Sequence, residues 1–200
     1  MKKTKPILFC DFDGVLCHDL YWRSLPLDEY EKLQELLFRN DTSLVNDWMR
    51  GKYSAEEINR IVSEKIGIPY ERLWNIFIED CKTMQVSKEV LEALRGLRER
   101  YTVILITGNM DSFSRFTHPA LALENYFDHI SNSFYEGMHK TDNKGEIFLK
   151  YAKKYDVPIE SCIVLDDSKN VHKVFTELGG TAYLVTQNQG ILYHLEKLAR

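Results

Sequence analysis

Three short stretches of this chain are apolar on successive residues rather than on alternate ones: Ile7-Leu8-Phe9-Cys10, Val103-Ile104-Leu105-Ile106 and Cys162-Ile163-Val164-Leu165. A strand that alternates covers one face of a sheet, whereas a strand that is apolar throughout must be covered on both. Cover on both faces is the condition of a parallel sheet held between helices, and the intervening sequence supplies helices. Val90, Leu91, Leu94 and Leu97 share one helical face behind Ser87, a candidate N-cap. Asn143 followed by Glu146 resembles a capping box for a helix through Ile147, Phe148, Tyr151 and Ala152. Leu192, Leu195 and Leu198 mark a last helix after Gly190, and Phe127–Ile130 and Ala182–Val185 are weaker strand candidates. The fold class is therefore α/β, on a parallel sheet wound with helices on both sides.

One region breaks the alternation. From about Leu20 to Gln85 only helical patterns occur: Leu33, Leu36 and Leu37 on one face, then Ile58, Ile61, Val62 and Ile66 behind a Ser54–Glu57 capping box, then a stretch from Glu71 to about Asp80. Trp22, Trp48 and Trp74 all lie here and are expected to form a small core of its own. This predicts a helical insert at 18–86 within a core made of 1–17 and 87–200. The insert carries 9 Lys and Arg against 13 Asp and Glu, so it holds all of the chain's net charge of −4.

That acidic balance offers no basic footprint for nucleic acid. The apolar run after Met1-Lys2-Lys3 ends at Asp11, too short for a secretory signal, and no stretch approaches the ~18–20 apolar residues of a membrane span. Cys10, Cys17, Cys81 and Cys162 have no paired or metal-ligand spacing and read as reduced thiols, so a cytoplasmic location is expected. The six histidines show no zinc spacing; His18 alone falls close to Gly14, in a segment expected to form a flap.

Ligands of open α/β sheets bind beyond the carboxyl ends of the strands. Asp11-Phe12-Asp13-Gly14-Val15 follows the first strong strand, Thr107-Gly108-Asn109 the second and Asp166-Asp167-Ser168-Lys169-Asn170 the third. Three strand ends thus bring acidic and hydroxyl groups to one crevice, a set suited to phosphoryl transfer. One carboxylate attacks phosphorus, a second handles the leaving-group proton, and a hard cation offsets the accumulated negative charge.

These residues resemble the signatures of the haloacid dehalogenase superfamily. Asp11-Phe12-Asp13-Gly14-Val15 is similar to its first motif, Ile104-Leu105-Ile106-Thr107-Gly108 to its second and Ile163-Val164-Leu165-Asp166-Asp167-Ser168 to its fourth, in order over residues 7–186. The resemblance implies a Rossmann-like doubly wound core with a cap after its first strand, and a Mg2+-dependent phosphatase that hydrolyses a small phosphorylated metabolite through an aspartyl-phosphate. Asp11 would be nucleophile and metal ligand, and Asp13 general acid/base with its carbonyl on the metal. Thr107, with Gly108, would bind phosphate, and Asp167 would complete the metal site with Asp166 in support. A phosphotransferase or phosphomutase, a 2-haloacid dehalogenase and a non-catalytic binding protein are the alternatives. Asp13 argues against the dehalogenase, since carbon–halogen cleavage needs no acid at the leaving group.

The third motif is a lysine, and two compete. Lys144-Gly145-Glu146-Ile147-Phe148 resembles the Lys-Gly pattern that opens a helix; Gly137-Met138-His139-Lys140 resembles a Gly-x-x-Lys version set two residues too far from it. The pattern favours Lys144 as the catalytic and phosphate-binding lysine, with Lys140 as the alternative. Val171 stands where many members carry another acid, and Asn170 is its nearest substitute. The negative cap makes a polyanionic substrate unfavourable unless Arg23, Arg50, Lys52 and Arg60 form a local basic cluster.

Overall fold

In a computed structural model of the protein, which describes residues 4–200, five parallel strands form one sheet in the order β3-β2-β1-β4-β5. The Met1-Lys2-Lys3 segment considered above lies outside the described residues. The strands are β1 (Ile7–Cys10), β2 (Thr102–Thr107), β3 (His129–Asn132), β4 (Ile163–Asp166) and β5 (Thr181–Leu184). The helices, in chain order, are α1 (Leu27–Gln34), α2 (Ser43–Trp48), α3 (Ala55–Ile66), α4 (Tyr70–Lys82), α5 (Lys88–Leu97), α6 (His118–Leu121), α7 (Ser133–Glu136), α8 (Glu146–Lys154), α9 (Lys169–Glu177) and α10 (Ile191–Ala199). All five expected strands are present, within two residues of their expected ends. Among the described residues no helix is long and apolar enough to cross a membrane.

The successive apolar residues do what two-sided burial requires. Leu8 and Cys10 of β1 join Val103, Leu105 and Leu165 on one face of the sheet, where α5 and α10 pack. Ile7 and Phe9 join Ile104, Ile106 and Val164 on the other face, against α8 and α9. There the Phe9 ring meets Phe148 and Phe175 edge-on at 5.2 and 5.9 Å. The four cysteines are buried and unpaired.

Apart from one isolated bridge, Asp13 to Cys17, the regular elements between β1 and α5 are helices, and the Ser54–Glu57 capping box closes both of its hydrogen bonds. Its core, however, is not separate. Trp22 and Trp48 are fully buried and tilt against Phe77 at 4.5 and 6.0 Å, in one apolar cluster continuous with Leu8, Cys10 and Phe113 of the core. Aromatic pairs of this kind contribute about 0.5–1.5 kcal/mol each beyond the area they bury. Asp111, beyond β2, ties the segment down: it accepts from the Trp48 indole (2.7 Å), from the backbone N–H of Ala55 (3.2 Å) and from Arg115 (2.8 Å). The last helical turns of α1 widen into a π-turn at Glu35–Arg39, a distortion common near functional sites, and it carries Phe38.

Two expected caps are absent. Ser87 makes no side-chain cap bond at α5. Asn143 bonds the Glu146 carboxylate with its side chain but does not cap α8. The cause is backbone conformation: Asn143, Lys144 and Gly145 all have positive φ, 48°, 58° and 83°, so the helix starts only after them.

Candidate active site

Asp11 continues β1 by one residue, its N–H bonded to the Leu165 carbonyl at 3.0 Å, which carries its buried carboxylate to the crest of the sheet. The chain then folds back sharply: the N–H groups of Leu16 and Cys17 both donate to the Phe12 carbonyl, at 2.8 and 3.0 Å. This turn needs Gly14. Its φ is +74°, and a Cβ there would lie 2.2 Å from the Asp167 Oδ2, so only glycine lets the two loops meet. Asp11, Asp166 and Asp167 each offer one carboxylate oxygen, all within 4.8 Å of one another.

The lysine in this cluster is Lys140, correcting the expectation that favoured Lys144. Its ammonium lies 2.6 Å from Asp11 Oδ2 and 2.5 Å from Asp166 Oδ2, with only 11% of its side chain exposed. The left-handed cap at Gly137 ends α7, and the turn at Asp142–Lys144 takes up the two residues that made Lys140 look misplaced. Lys144 is exposed, on the left-handed stretch. Gly145 serves packing rather than phosphate: a Cβ there would meet Val174 and Leu178 of α9 at 2.8 and 2.9 Å.

Thr107 is buried at the end of β2, beside the partly buried Gly108. Two residues beyond Thr107, on the same side of the chain, fully buried Asn109 donates through Nδ2 to Asp13 Oδ2 at 2.8 Å. Its Oδ1 accepts from the Tyr21 hydroxyl (2.7 Å) and the Met110 N–H (2.9 Å), which fixes the orientation of the amide. Neither Asn109 nor Tyr21 was assigned a role from sequence; 88 positions separate them, and only the i, i+2 relation of Asn109 to Thr107 hinted at the site. Asp142, also unassigned, accepts from the His139 N–H (2.9 Å) and from Arg50 (2.9 and 3.0 Å), bracing the loop that carries Lys140.

Negative charge exceeds positive here. Burial pushes the Asp11 carboxyl up to about 7; Lys140 pulls it down and Asp166 pushes it further up. Asp13 is likewise raised by burial to about 7, with Lys140 lowering and Asp167 raising it. Asp167 is raised by partial burial and by Asp166. Burial alone would depress Lys140, but Asp11 and Asp166 outweigh it and hold the ammonium above the ordinary lysine value. An all-oxygen donor set with excess charge fits a hard divalent cation, whose octahedral ligand oxygens lie about 3–4 Å apart. Asp11 and Asp167 are the residues that would hold it. Val171, where an acid was looked for, is 3% exposed in the apolar layer under α9, and Asn170 is exposed beside it.

No curated protein sequence matches the chain. Among solved structures, a HAD family enzyme from Bacteroides thetaiotaomicron, in complex with magnesium and inorganic phosphate, superposes with a TM-score of 0.73 at 20% identity, covering 91% of this chain and 94% of its own. A predicted HAD-like family hydrolase from Porphyromonas gingivalis gives 0.73 at 18% identity over 99% of both chains. A 2-haloacid dehalogenase from Pseudomonas syringae pv. Tomato gives 0.62 at 16%, covering 90% and 86%. These likenesses establish the fold. The sequence itself matches the model of the haloacid dehalogenase-like hydrolases over residues 6–172, and the chain belongs to that family.

Proposed function

We propose that this hydrolase is a Mg2+-dependent phosphatase acting on a small phosphorylated metabolite through an aspartyl-phosphate on Asp11. The observation that carries the reading is the second carboxylate: Asp13 is oriented by the Asn109 amide at 2.8 Å and backed by Tyr21. Phosphoester cleavage needs a group there to protonate the leaving alcohol, and halide departure does not. In the first step an Asp11 oxygen bonds to phosphorus as the ester P–O bond breaks, and the departing alkoxide takes the Asp13 proton. In the second, Asp13 accepts a proton from water as the water oxygen attacks phosphorus and the Asp11–phosphorus bond breaks. Thr107 and Lys140 hold phosphoryl oxygens through both. Magnesium, which Asp11 and Asp167 would hold, would offset the negative charge gathered at the site. The helical segment 18–86 would close over the crevice as a cap, limiting substrate size and excluding water.

The test is hydrolysis of 4-nitrophenyl phosphate with magnesium and with chelator, beside halide release from 2-chloropropionate. Magnesium-dependent phosphate release without halide release is expected; halide release alone would transfer the chain to the dehalogenases.

The Asn109–Tyr21 pair gives a finer expectation. Tyr21→Phe deletes one hydrogen bond worth roughly 1 kcal/mol, about fivefold in rate. The loss should appear with alkyl phosphates, whose leaving groups need the proton, and fade with 4-nitrophenyl phosphate. Equal loss on both would mean that Tyr21 serves packing only.

Metal binding should also be visible without turnover. At a hundredfold excess over Kd, a ligand of the folded state adds about 2.7 kcal/mol, or roughly 5–10 °C in Tm for a chain this size. Asp167→Asn should lose most of that magnesium shift in a thermal melt, while melting no lower than wild type in chelator, because it removes one of four crowded carboxylates.

A further inference from the structure

We infer that the alcohol part of the substrate is neutral or cationic, small and partly apolar, with no second anionic group. This rests on the phosphatase reading and deepens it. A cavity of about 390 Å³ opens beside Asp13 and Gly14 and is bounded across from them by Gln34 and Phe38 of the helical insert. It is the space into which a leaving group attached near Asp13 would extend, and its size is at the small end of ligand sites.

Two acids, Asp13 and Asp19, border this cavity. Leu20, Tyr21 and Phe38 make an apolar side, while the carboxylates of Asp13 and Asp19 and the imidazole of His18 make the polar one. No lysine or arginine borders it among the described residues. Asp19 is held in place by the Gln85 N–H, which donates to its Oδ2 at 2.7 Å.

The cations that sequence left available to the insert are committed elsewhere. Arg23 donates to the Asp80 carbonyl (2.7 Å) and to the Thr83 hydroxyl (2.8 Å). Lys52 pairs with Asp47 at 2.8 Å, and Arg60 lies 5.6 Å over the Tyr70 ring. Arg50 borders a separate groove of about 340 Å³ on the Lys140 side, where Asp142 already engages it and which neither Asp11 nor Asp13 borders. A carboxylate or second phosphate on the leaving group would therefore give up water for an apolar wall and the like charge of Asp19, since Asp13 carries its proton when the substrate binds. A hydroxyl, an alkyl group or an ammonium would not. Specificity here works by repulsion of the wrong class.

The experiment compares three esters of matched size with magnesium: propyl phosphate, 3-aminopropyl phosphate and 2-carboxyethyl phosphate, with phenyl phosphate to establish that the chemistry runs. The kcat/KM of the carboxyethyl ester should fall at least ~10-fold below that of the propyl ester, equivalent to about 1.4 kcal/mol, and the aminopropyl ester should match or exceed it. Asp19→Asn keeps an acceptor oxygen for Gln85 and should shrink the cation-to-anion ratio by about threefold or more. Equal or faster turnover of the carboxyethyl ester, or an unchanged ratio in Asp19→Asn, overturns the inference while leaving the phosphatase reading intact. If carboxyethyl turnover is high and Arg50→Ala removes it, the second groove reads the substrate instead, and the inference falls. Failure of phenyl phosphate would count against the phosphatase reading. The same three esters titrated calorimetrically onto magnesium-loaded protein would then still rank the cavity, and tightest binding of the carboxyethyl ester would refute the inference.

Discussion

Asp11→Asn is expected to abolish phosphate release, by about 10⁴–10⁶ in kcat, the range seen when a covalent nucleophile is removed from an otherwise intact site. The carboxamide has nearly the shape of the carboxylate, and its Oδ1 can still accept from the Phe12 N–H, which reaches Asp11 at 2.8 Å. What it lacks is a charged oxygen to bond phosphorus. The fold should not suffer. Among the described residues, four carboxylates, those of Asp11, Asp13, Asp166 and Asp167, gather around the ammonium of Lys140, and removing one relieves repulsion in the metal-free protein. The measurement is therefore double: steady-state turnover of an aryl phosphate, and a thermal melt in chelator. Lost turnover with an unchanged or higher Tm assigns the loss to chemistry. Residual activity above about a hundredth of wild type would mean that phosphorus is attacked by water directly, and the covalent route would be wrong.

How much of this was legible in the sequence depended on whether a role is written locally or across space. The strands were legible because Ile7–Cys10 and its counterparts must be apolar on both sides, and their ends delivered Asp11, Asp13, Thr107, Asp166 and Asp167 to one crevice. The helical insert was legible from periodicity and from a capping box that formed as written. The choice of lysine was not, because a Lys-Gly pair before a helix reads alike whether glycine faces a phosphate or, as Gly145 does, the side chains of α9. Asn143 and Gly145 are types that favour the left-handed region, but nothing local showed that Lys144 between them would adopt it too. Asn109 and Tyr21 were hidden for a different reason: an asparagine in a loop and a tyrosine among aromatics are ordinary until the fold sets them 2.7 Å apart. The separate cap core was a reasonable expectation from three tryptophans, but a segment this short buries Trp22 and Trp48 fully only by sharing the core beneath it.

The lysine assignment carries the second large effect. Lys140→Ala should lower kcat by about 10²–10³, the loss typical of removing one preorganised donor from a developing charge, whereas Lys144→Ala should stay within about twofold of wild type. The two substitutions remove the same charge four residues apart, so a general change in the protein's field would affect both alike. Lys140 differs in being enclosed, with its ammonium between Asp11 and Asp166. Its removal leaves two buried carboxylates without their counter-charge, which costs about 3–5 kcal/mol when a buried pair is broken on one side. The metal-free Lys140→Ala protein should accordingly melt well below wild type, and magnesium should recover part of the difference by supplying positive charge to the same oxygens. Lys140→Met, similar in length but neutral, separates the lost charge from the lost packing: it should share the catalytic defect and melt above the alanine variant. If Lys144→Ala proved the more damaging of the two, the loop from Gly137 to Gly145 would have to rearrange on substrate binding to exchange one lysine for the other. That exchange would require breaking the Asp142 contacts to His139 and Arg50 that brace the loop, and loosening them in a protein that keeps Lys144 should then raise turnover. With the brace in place, Lys140 is the lysine that Asp11 and Asp166 meet.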